Sequence, residues 1–364
     1  MSARGSDGTA PGGTGGASRR RRGATDATTP PRGDGGARPQ RPLLGLALGG
    51  GVARGFAHIG VLRVLEGAGI VPDVIAGTSI GAIAGACYVA GVLDAFEGWA
   101  RSLNRLKVIG YLDFKIGRSG LLAGDRLAGV LHRHLGDRRV EALPRPFAAI
   151  ATDLSSGREV WIRQGPLTEA VRASYALPGV FPAVRHDGRL LVDGGLLNPV
   201  PVAPCLAMGA HVVAAVNLTA DRGRRDLRAL PGAGSVDELD AGAKSAGRGR
   251  LRALQAGGFE RRLFQRRQDE PSVVSVMMAT MGIMLDRIAR TRLAADAPDV
   301  MIAPRIGHIG FADFDRADEL IAQGAAAAEA MVGELRTLLA GDGAQVHPPP
   351  RDRGASSADP GQTS

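Results

Sequence analysis

The 364 residues carry 45 Lys and Arg against 36 Asp and Glu, a formal charge of +9, with 44% hydrophobic and 4% aromatic residues. Residues 1–42 hold eight Arg and three Asp, and residues 221–270 hold twelve Lys and Arg with eight Asp and Glu, so the remainder is close to neutral. Basicity confined to a tail and an insert, with no aromatic stacking motif beside the Arg runs, argues against specific nucleic-acid binding.

Between Ser2 and Pro42 there is no Val, Ile, Leu, Met, Phe, Trp, Tyr or Cys, and in 341–364 Val346 is the one large apolar residue. Such segments bury too little apolar surface to offset the entropy of ordering them. Residues 1–42 therefore read as a disordered basic tail and 341–364 as a second disordered tail, leaving 43–340 as a single α/β domain. The N-terminal tail lacks the apolar run of a secretory signal, so the chain is expected in the cytoplasm. Cys87 and Cys205 sit in apolar surroundings without metal-type spacing and read as buried thiols.

The domain opens on an apolar strand at 43–48, broken by Gly49, Gly50 and Gly51, and residues 54–66 have helical spacing through Ala57, Val61, Leu62 and Leu65. The unit repeats with a strand at 74–76, a turn at 77–81 and a helix at 82–91. Residues 74–93 carry no charge, and Gly77, Gly81 and Gly85 have the small-residue spacing of membrane helices. A buried strand turning into a buried helix gives the same hydropathy, and the glycines with Thr78 and Ser79 interrupt any lipid-facing helix, so the span reads as soluble. Beyond it come a helix at 125–135, strands at 147–152 and 159–162, a helix at 166–173, strands at 190–192, 211–218 and 300–302, and a helix at 315–339. Alternation of this kind implies a mainly parallel sheet covered by helices on both faces. Residues 220–271, rich in Arg, Gly and Ala, break the pattern and read as a flexible basic insert. Within it, Leu263 and Phe264 among charges offer peripheral contact with an anionic membrane at its inner face, a solvated loop being the plainer reading.

Chemistry is expected at the turns that follow the strands. Gly77-Thr78-Ser79-Ile80-Gly81 is a G-x-S-x-G between a strand and a helix, the setting in which a strained elbow presents a serine hydroxyl at a sheet edge. The helix N-terminus behind it favours developing negative charge. The plainer alternative is a glycine-rich turn with an incidental serine. The first loop, Gly49-Gly50-Gly51-Val52-Ala53-Arg54-Gly55, fits neither phosphate-binding glycine pattern: Arg54 stands where a dinucleotide fingerprint needs glycine, and Phe56 follows Gly55 where a P-loop needs lysine. Beside the serine elbow its N–H groups would serve as an oxyanion hole, with Arg54 adding charge or fixing the loop on carbonyls.

No histidine offers itself convincingly as the base for Ser79. His347 is in the C-terminal tail, His132 and His134 lie on a charged helix, His186 is in a turn and His211 begins a strand. His58 reads as a hydrogen-bonded packing residue, and His308 has only the chain order of a hydrolase triad in its favour. Asp193 stands out more, at the end of the apolar strand Leu190-Leu191-Val192 and before Gly194-Gly195. A carboxylate there can take the serine proton directly if burial raises its basicity. It can equally be a turn aspartate capping the Gly-Gly bend, and only its company with the other two motifs favours chemistry.

Taken in order, Gly-Gly-Gly-Val-Ala-Arg-Gly, Gly-Thr-Ser-Ile-Gly and Asp-Gly-Gly resemble the patatin-like phospholipase family, in its bacterial branch related to neuropathy target esterase. The likeness runs from about residue 44 to 218 and more weakly to 339. Ala151-Thr152-Asp153-Leu154, Arg172-Ala173-Ser174 and Asn198-Pro199-Val200-Pro201 add to it. The resemblance implies a three-layer α/β/α sandwich and a serine lipid acyl hydrolase of phospholipase or lysophospholipase type. It implies Ser79 as nucleophile, flanked by Gly77 and Gly81, and Asp193 as base. It also implies the loop of Gly49, Gly50, Gly51, Val52, Arg54 and Gly55 as oxyanion hole, a lipid ester as substrate, and no cofactor, catalytic metal or catalytic histidine. A soluble carboxylesterase or thioesterase of the same chemistry, and a regulatory protein on the same fold, are the alternatives.

An acyl hydrolase needs an apolar slot. The helix carrying Met277, Met281, Met284 and Ile288 on one face reads as core packing, with channel lining as the second option. Residues 99–122, with Leu103, Leu106, Val108, Ile109, Tyr111, Leu112 and Phe114 among basic residues, offer a lid or an interfacial patch.

Overall fold

The computed structural model describes residues 41–103, 124–221 and 273–341. Nearly all of both tails and of the 220–271 insert, and most of the 99–122 stretch, lie outside the described residues.

In chain order the elements are β1 (Leu44–Leu48), α1 (Ala57–Gly67), β2 (Val74–Thr78), α2 (Ile80–Val89), α3 (Leu93–Ser102), α4 (Asp125–Leu135), β3 (Phe147–Asp153), β4 (Arg158–Ile162), α5 (Leu167–Ser174), β5 (Val184–His186), β6 (Arg189–Asp193), α6 (Val202–Ala207), β7 (Val212–Val216), α7 (Val273–Ala295), β8 (Val300–Ile302), α8 (Ala317–Glu329) and α9 (Val332–Leu339). All eight described strands belong to one sheet. β3, β2, β1, β7 and β8 pair side by side in parallel. β4 and β6 join β3 antiparallel, and β5 closes a hairpin on β6.

Side chains alternate across this sheet into two cores. Leu44, Leu46 and Leu48 of β1, Ile75 of β2 and Val212, Ala214 and Val216 of β7 face a core built with α1, α2, α5 and α8. Ala47, Ala76, Ala148, Ile150, Val213 and Ala215 face the other, closed by Val202 and Cys205 of α6 and Ala289 of α7. Every residue of β1, β2 and β7 is buried, as parallel strands covered on both faces require. The fold is a helix-covered, mainly parallel sheet, and residues 74–89 are its buried centre. Among the described residues no helix is long and apolar enough to cross a membrane. Both cysteines are free and buried, and burial pushes each thiol up to about 12.

Some boundaries differ from the sequence reading. Residues 54–56 belong to a 3-10 turn, Val52–Phe56, which precedes α1. β2 runs on through Gly77 and Thr78, so the expected five-residue turn contracts to Ser79 alone. The single helix expected at 315–339 breaks at Ala330 and Met331 into α8 and α9, after a 3-10 turn at Phe314–Arg316. The methionine stripe is only half core. Met277 and Met281 are half-buried against Leu177 and Val180, whereas Met284 is 44% exposed because α7 packs through Leu285 and Ala289.

Candidate active site

The meeting of the two candidate reacting groups follows from the register of β3. β2 runs parallel to it and ends with Thr78 opposite Ile150. β6 runs antiparallel along the same edge, taking over where β2 stops, and ends with Asp193 opposite Ala151. Two strands thus arrive head to head on adjacent residues of a third. Residues 79 and 193, which are 114 positions apart, are brought together, and the Ser79 hydroxyl donates to Asp193 Oδ2 at 2.7 Å.

Ser79 sits at φ +56° and ψ −120°, a region that L-residues rarely occupy, between the end of β2 and the start of α2. The tight elbow needs empty space behind it. A Cβ at Gly81 would lie 2.1 Å from the Leu48 carbonyl oxygen, so only glycine lets α2 start this close to β1. The Ser79 N–H donates to Ser174 Oγ at 2.9 Å, and the Ser174 hydroxyl, donating to the Ile150 carbonyl at 2.6 Å, ties that contact to β3. Thr78 Oγ1 donates to the Asn198 carbonyl at 2.8 Å.

Asp193 is buried, and desolvation pushes its carboxyl from 3.8 up to about 6, against the opposing pull of the Ser79 hydroxyl and the Gly195 N–H. Its two oxygens divide the roles that the sequence left as alternatives: Oδ1 caps the bend by accepting from Gly195 N at 2.7 Å, while Oδ2 takes the serine. Its backbone is fixed as well, with the N–H on the Ala176 carbonyl and the carbonyl accepting from Thr152 Oγ1 at 3.1 Å.

The glycine loop lies beside this pair: a Cβ built on Gly50 would contact Ser79 Cβ at 3.6 Å. Within the loop, Gly49 N donates to the Val216 carbonyl and Gly50 N to the Pro199 carbonyl, so those two amides are spent on the fold. Among the described residues no backbone carbonyl takes the amides of Gly51 or Val52. Val52, a β-branched residue, is held at φ +51°, a second strained position in the same site. Gly55 packs against the first residue of α2, where a Cβ would come 2.1 Å from Ile80 Cγ1. Arg54 is almost wholly buried with its guanidinium on carbonyls, Nε on Ile309 at 2.7 Å and a terminal nitrogen on Gly307 at 3.2 Å, and it lies 4.5 Å over the Phe311 ring. Those contacts anchor the loop.

His58 is fully buried, and desolvation lowers its imidazole to about 4. Its Nε2 is 2.7 Å from the Gly49 carbonyl, which can only accept, so Nε2 carries the proton and the neutral ring steadies the loop. The other histidines are engaged elsewhere. His308 faces Glu319 at 2.7 Å, His211 Nδ1 accepts from Leu43 N at 3.1 Å, and His186 has Glu169 and Asp187 within 3.8 Å. None of these contacts involves the Ser79 hydroxyl.

Ser174, Asn198, Glu159 and Thr152 are the supporting residues that pattern reading did not assign a role. Asn198 Nδ2 donates to Glu159 at 2.7 Å, and Glu159 pairs with Arg292 of α7 at 2.5 Å. The only signal for them in the sequence was their place in the short motifs Ala151-Thr152-Asp153, Gly157-Arg158-Glu159, Arg172-Ala173-Ser174 and Asn198-Pro199.

The patatin-like phospholipase family model matches residues 46–206, a span that contains the glycine loop, Ser79 and Asp193. An uncharacterized NTE family protein of Mycobacterium tuberculosis is 44% identical over 177 residues, 49% of each chain. A second from the same organism is 32% identical over 290 residues, 79% of this chain and 46% of the relative. The patatin-like phospholipase domain-containing protein 6 of Mus musculus is 35% identical over 182 residues, 48% of this chain and 13% of the relative. The chain spans about half the length of the mycobacterial relatives it matches. The domain that carries the paired serine and aspartate, residues 46–206, thus matches the patatin-like phospholipase family.

Proposed function

We propose that the chain is a lipid acyl hydrolase working through a Ser79–Asp193 dyad. The observation that carries this reading is the 2.7 Å hydrogen bond from the Ser79 hydroxyl to a buried carboxylate raised to about 6. An ordinary surface aspartate is too weak a base for a serine hydroxyl; one starved of water is closer to the task. Ser79 Oγ attacks the ester carbonyl as its proton passes to Asp193 Oδ2. The oxyanion is held by the amides of Gly51 and Val52 and by the N-terminus of α2. As the tetrahedral intermediate collapses, Asp193 returns the proton to the departing alcohol, leaving an acyl ester on Ser79. Water then gives its proton to Asp193 and its oxygen to the acyl carbon, and the released serine regains its hydrogen. Because Asp193 must be ionised, the rate rises with pH through about 6 and then levels.

The test is labelling of the purified protein by a fluorophosphonate, with Ser79→Ala and Asp193→Asn run alongside. Labelling of wild type, none of Ser79→Ala and strongly slowed labelling of Asp193→Asn is the expected result. Normal labelling of Asp193→Asn would remove the dyad, and an unlabelled, properly folded wild type would remove the hydrolase reading itself.

A further inference from the structure

The described surface shows four exposed large hydrophobic residues, and three of them, Val276, Ile283 and Met284, are on α7. Their separations of seven and eight residues put them on one side of the helix. The other side packs, with Leu285 and Ala289 buried, and Leu285 lies against Gly195, two residues past Asp193. Between the two sides Met277 and Met281 lean on Leu177 and Val180, in the segment that joins Ser174 to β5. Apolar side chains of α7 therefore lie both beside Gly195 and at the solvent-exposed surface. Further along the exposed side come Arg287 and Arg290, both open to water. Arg290 pairs with Asp286 at 3.0 Å, whereas Arg287 has no acid within ion-pair distance among the described residues. The sequence entering the helix, residues 222–272, has twelve Lys and Arg against seven Asp and Glu.

We propose that the side of α7 bearing Val276, Ile283 and Met284 is a docking face for an anionic phospholipid surface. The inference rests on the acyl hydrolase reading above and gives it a place of work. Apolar side chains beside arginines match acyl chains lying under negative headgroups, and the positive chain segment that leads into α7 has the same preference. The helix is also fixed to the reacting groups. Arg292 pairs with Glu159 at 2.5 Å, Glu159 accepts from Asn198, and the Asn198 carbonyl accepts from Thr78, the residue before Ser79. A lipid surface seated on α7 thus lies in a fixed relation to the serine, and an ester lifted from it meets Ser79 without the protein leaving the surface.

The experiment is co-sedimentation of the full chain with vesicles of phosphatidylcholine alone or mixed with phosphatidylglycerol, using wild type, Ile283→Asp, Met284→Asp and Arg287→Glu. Fluorophosphonate labelling in solution, which needs no lipid surface, is measured on every variant. Wild type is expected on the anionic vesicles. Ile283→Asp and Met284→Asp should each lose about tenfold or more in apparent affinity, with a matching fall in hydrolysis of vesicle phospholipid. Labelling should stay within about twofold of wild type, and Arg287→Glu should weaken binding to anionic vesicles only. Vesicle binding by the aspartate variants equal to that of wild type overturns the proposal. So does a wild-type dimer in gel filtration that Ile283→Asp converts to monomer without any change in vesicle binding, because the face would then belong to a second copy. Failure of the hydrolase reading appears separately, as absence of labelling in wild type.

Discussion

β2 and β6 bring their last residues to neighbouring positions on β3, yet the two ends are held by different physics. On the β2 side the constraint is steric. Ser79 is kept at positive φ because Gly77, Gly81 and Gly55 leave no room for side chains, and backbone from β1 fills the space behind. On the β6 side the constraint is polar. Asp193 is ringed by Gly195 N–H, Ser79 hydroxyl, Thr152 hydroxyl and the Ala176 carbonyl, and what makes it basic is the water it lacks. The Ser79 side should therefore fail by misfolding, and the Asp193 side by losing the proposed reactivity while the fold survives.

Gly81→Ala is the harshest test of that contrast. With backbone oxygen 2.1 Å from the new Cβ, α2 must shift, and a loss of about 4 kcal/mol or more is expected, read by urea denaturation or by failure to recover soluble protein. Wild-type stability in Gly81→Ala would mean the elbow is not sterically set.

Asp193→Asn should do the opposite. Labelling is expected to slow by about 10² to 10⁴, the usual contribution of a general base. Stability should move the other way. The folded carboxyl titrates near 6 against 3.8 for the free group, so its favourable contribution is complete below about pH 4 and is lost as pH rises through 6. At pH 8 the ionised buried group costs wild type about 3 kcal/mol, which the amide avoids. The Tm of Asp193→Asn relative to wild type should accordingly climb between about pH 4 and pH 6 and then level; a flat difference across that range would argue that the carboxylate is not desolvated.

Ser174→Ala lies between the two. It strands the Ser79 N–H without its acceptor, at a cost of about 1–3 kcal/mol, and it should slow labelling because the elbow loses its tie to β3. Unchanged labelling would show that steric packing alone sets the serine. The mildest case is Gly98→Ala in the middle of α3, where a Cβ meets nothing within 4 Å. Thermal unfolding should show a gain of about 0.5–1 kcal/mol, the helix-propensity difference, which separates packed glycines from merely permissive ones.

Local and long-range signals account for what the sequence disclosed. The glycine loop, the serine elbow and Asp193 each announce themselves within a few residues, because strand, break and helix start are consecutive. Strands β1, β3, β7 and β8 were similarly evident as short apolar runs. Ser174, Asn198 and Glu159 were not, since each acts on a partner in a distant segment: Ser174 on Ser79, Asn198 on Thr78, Glu159 on Arg292. β5 was missed because three residues carry no periodicity. The break in the last helix fell in an alanine-rich run, Ala325 to Ala330, where nothing local marks a stop. The exposed side of α7 escaped because a methionine stripe reads as core until Leu285 and Ala289 are seen to do the packing.

The arrangement of β3 has an evolutionary consequence. Since Thr78 pairs with Ile150 and Asp193 with Ala151, the distance between serine and carboxylate is measured out in backbone hydrogen bonds rather than side-chain contacts. Point substitutions can change the surroundings of the pair and still leave it in reach. A single residue gained or lost within β3 would separate the two strand ends by one pairing step and part the pair at once. Lineages carrying this pair should therefore diverge freely in side chains, helices and inserts while tolerating no length change between Phe147 and Asp153.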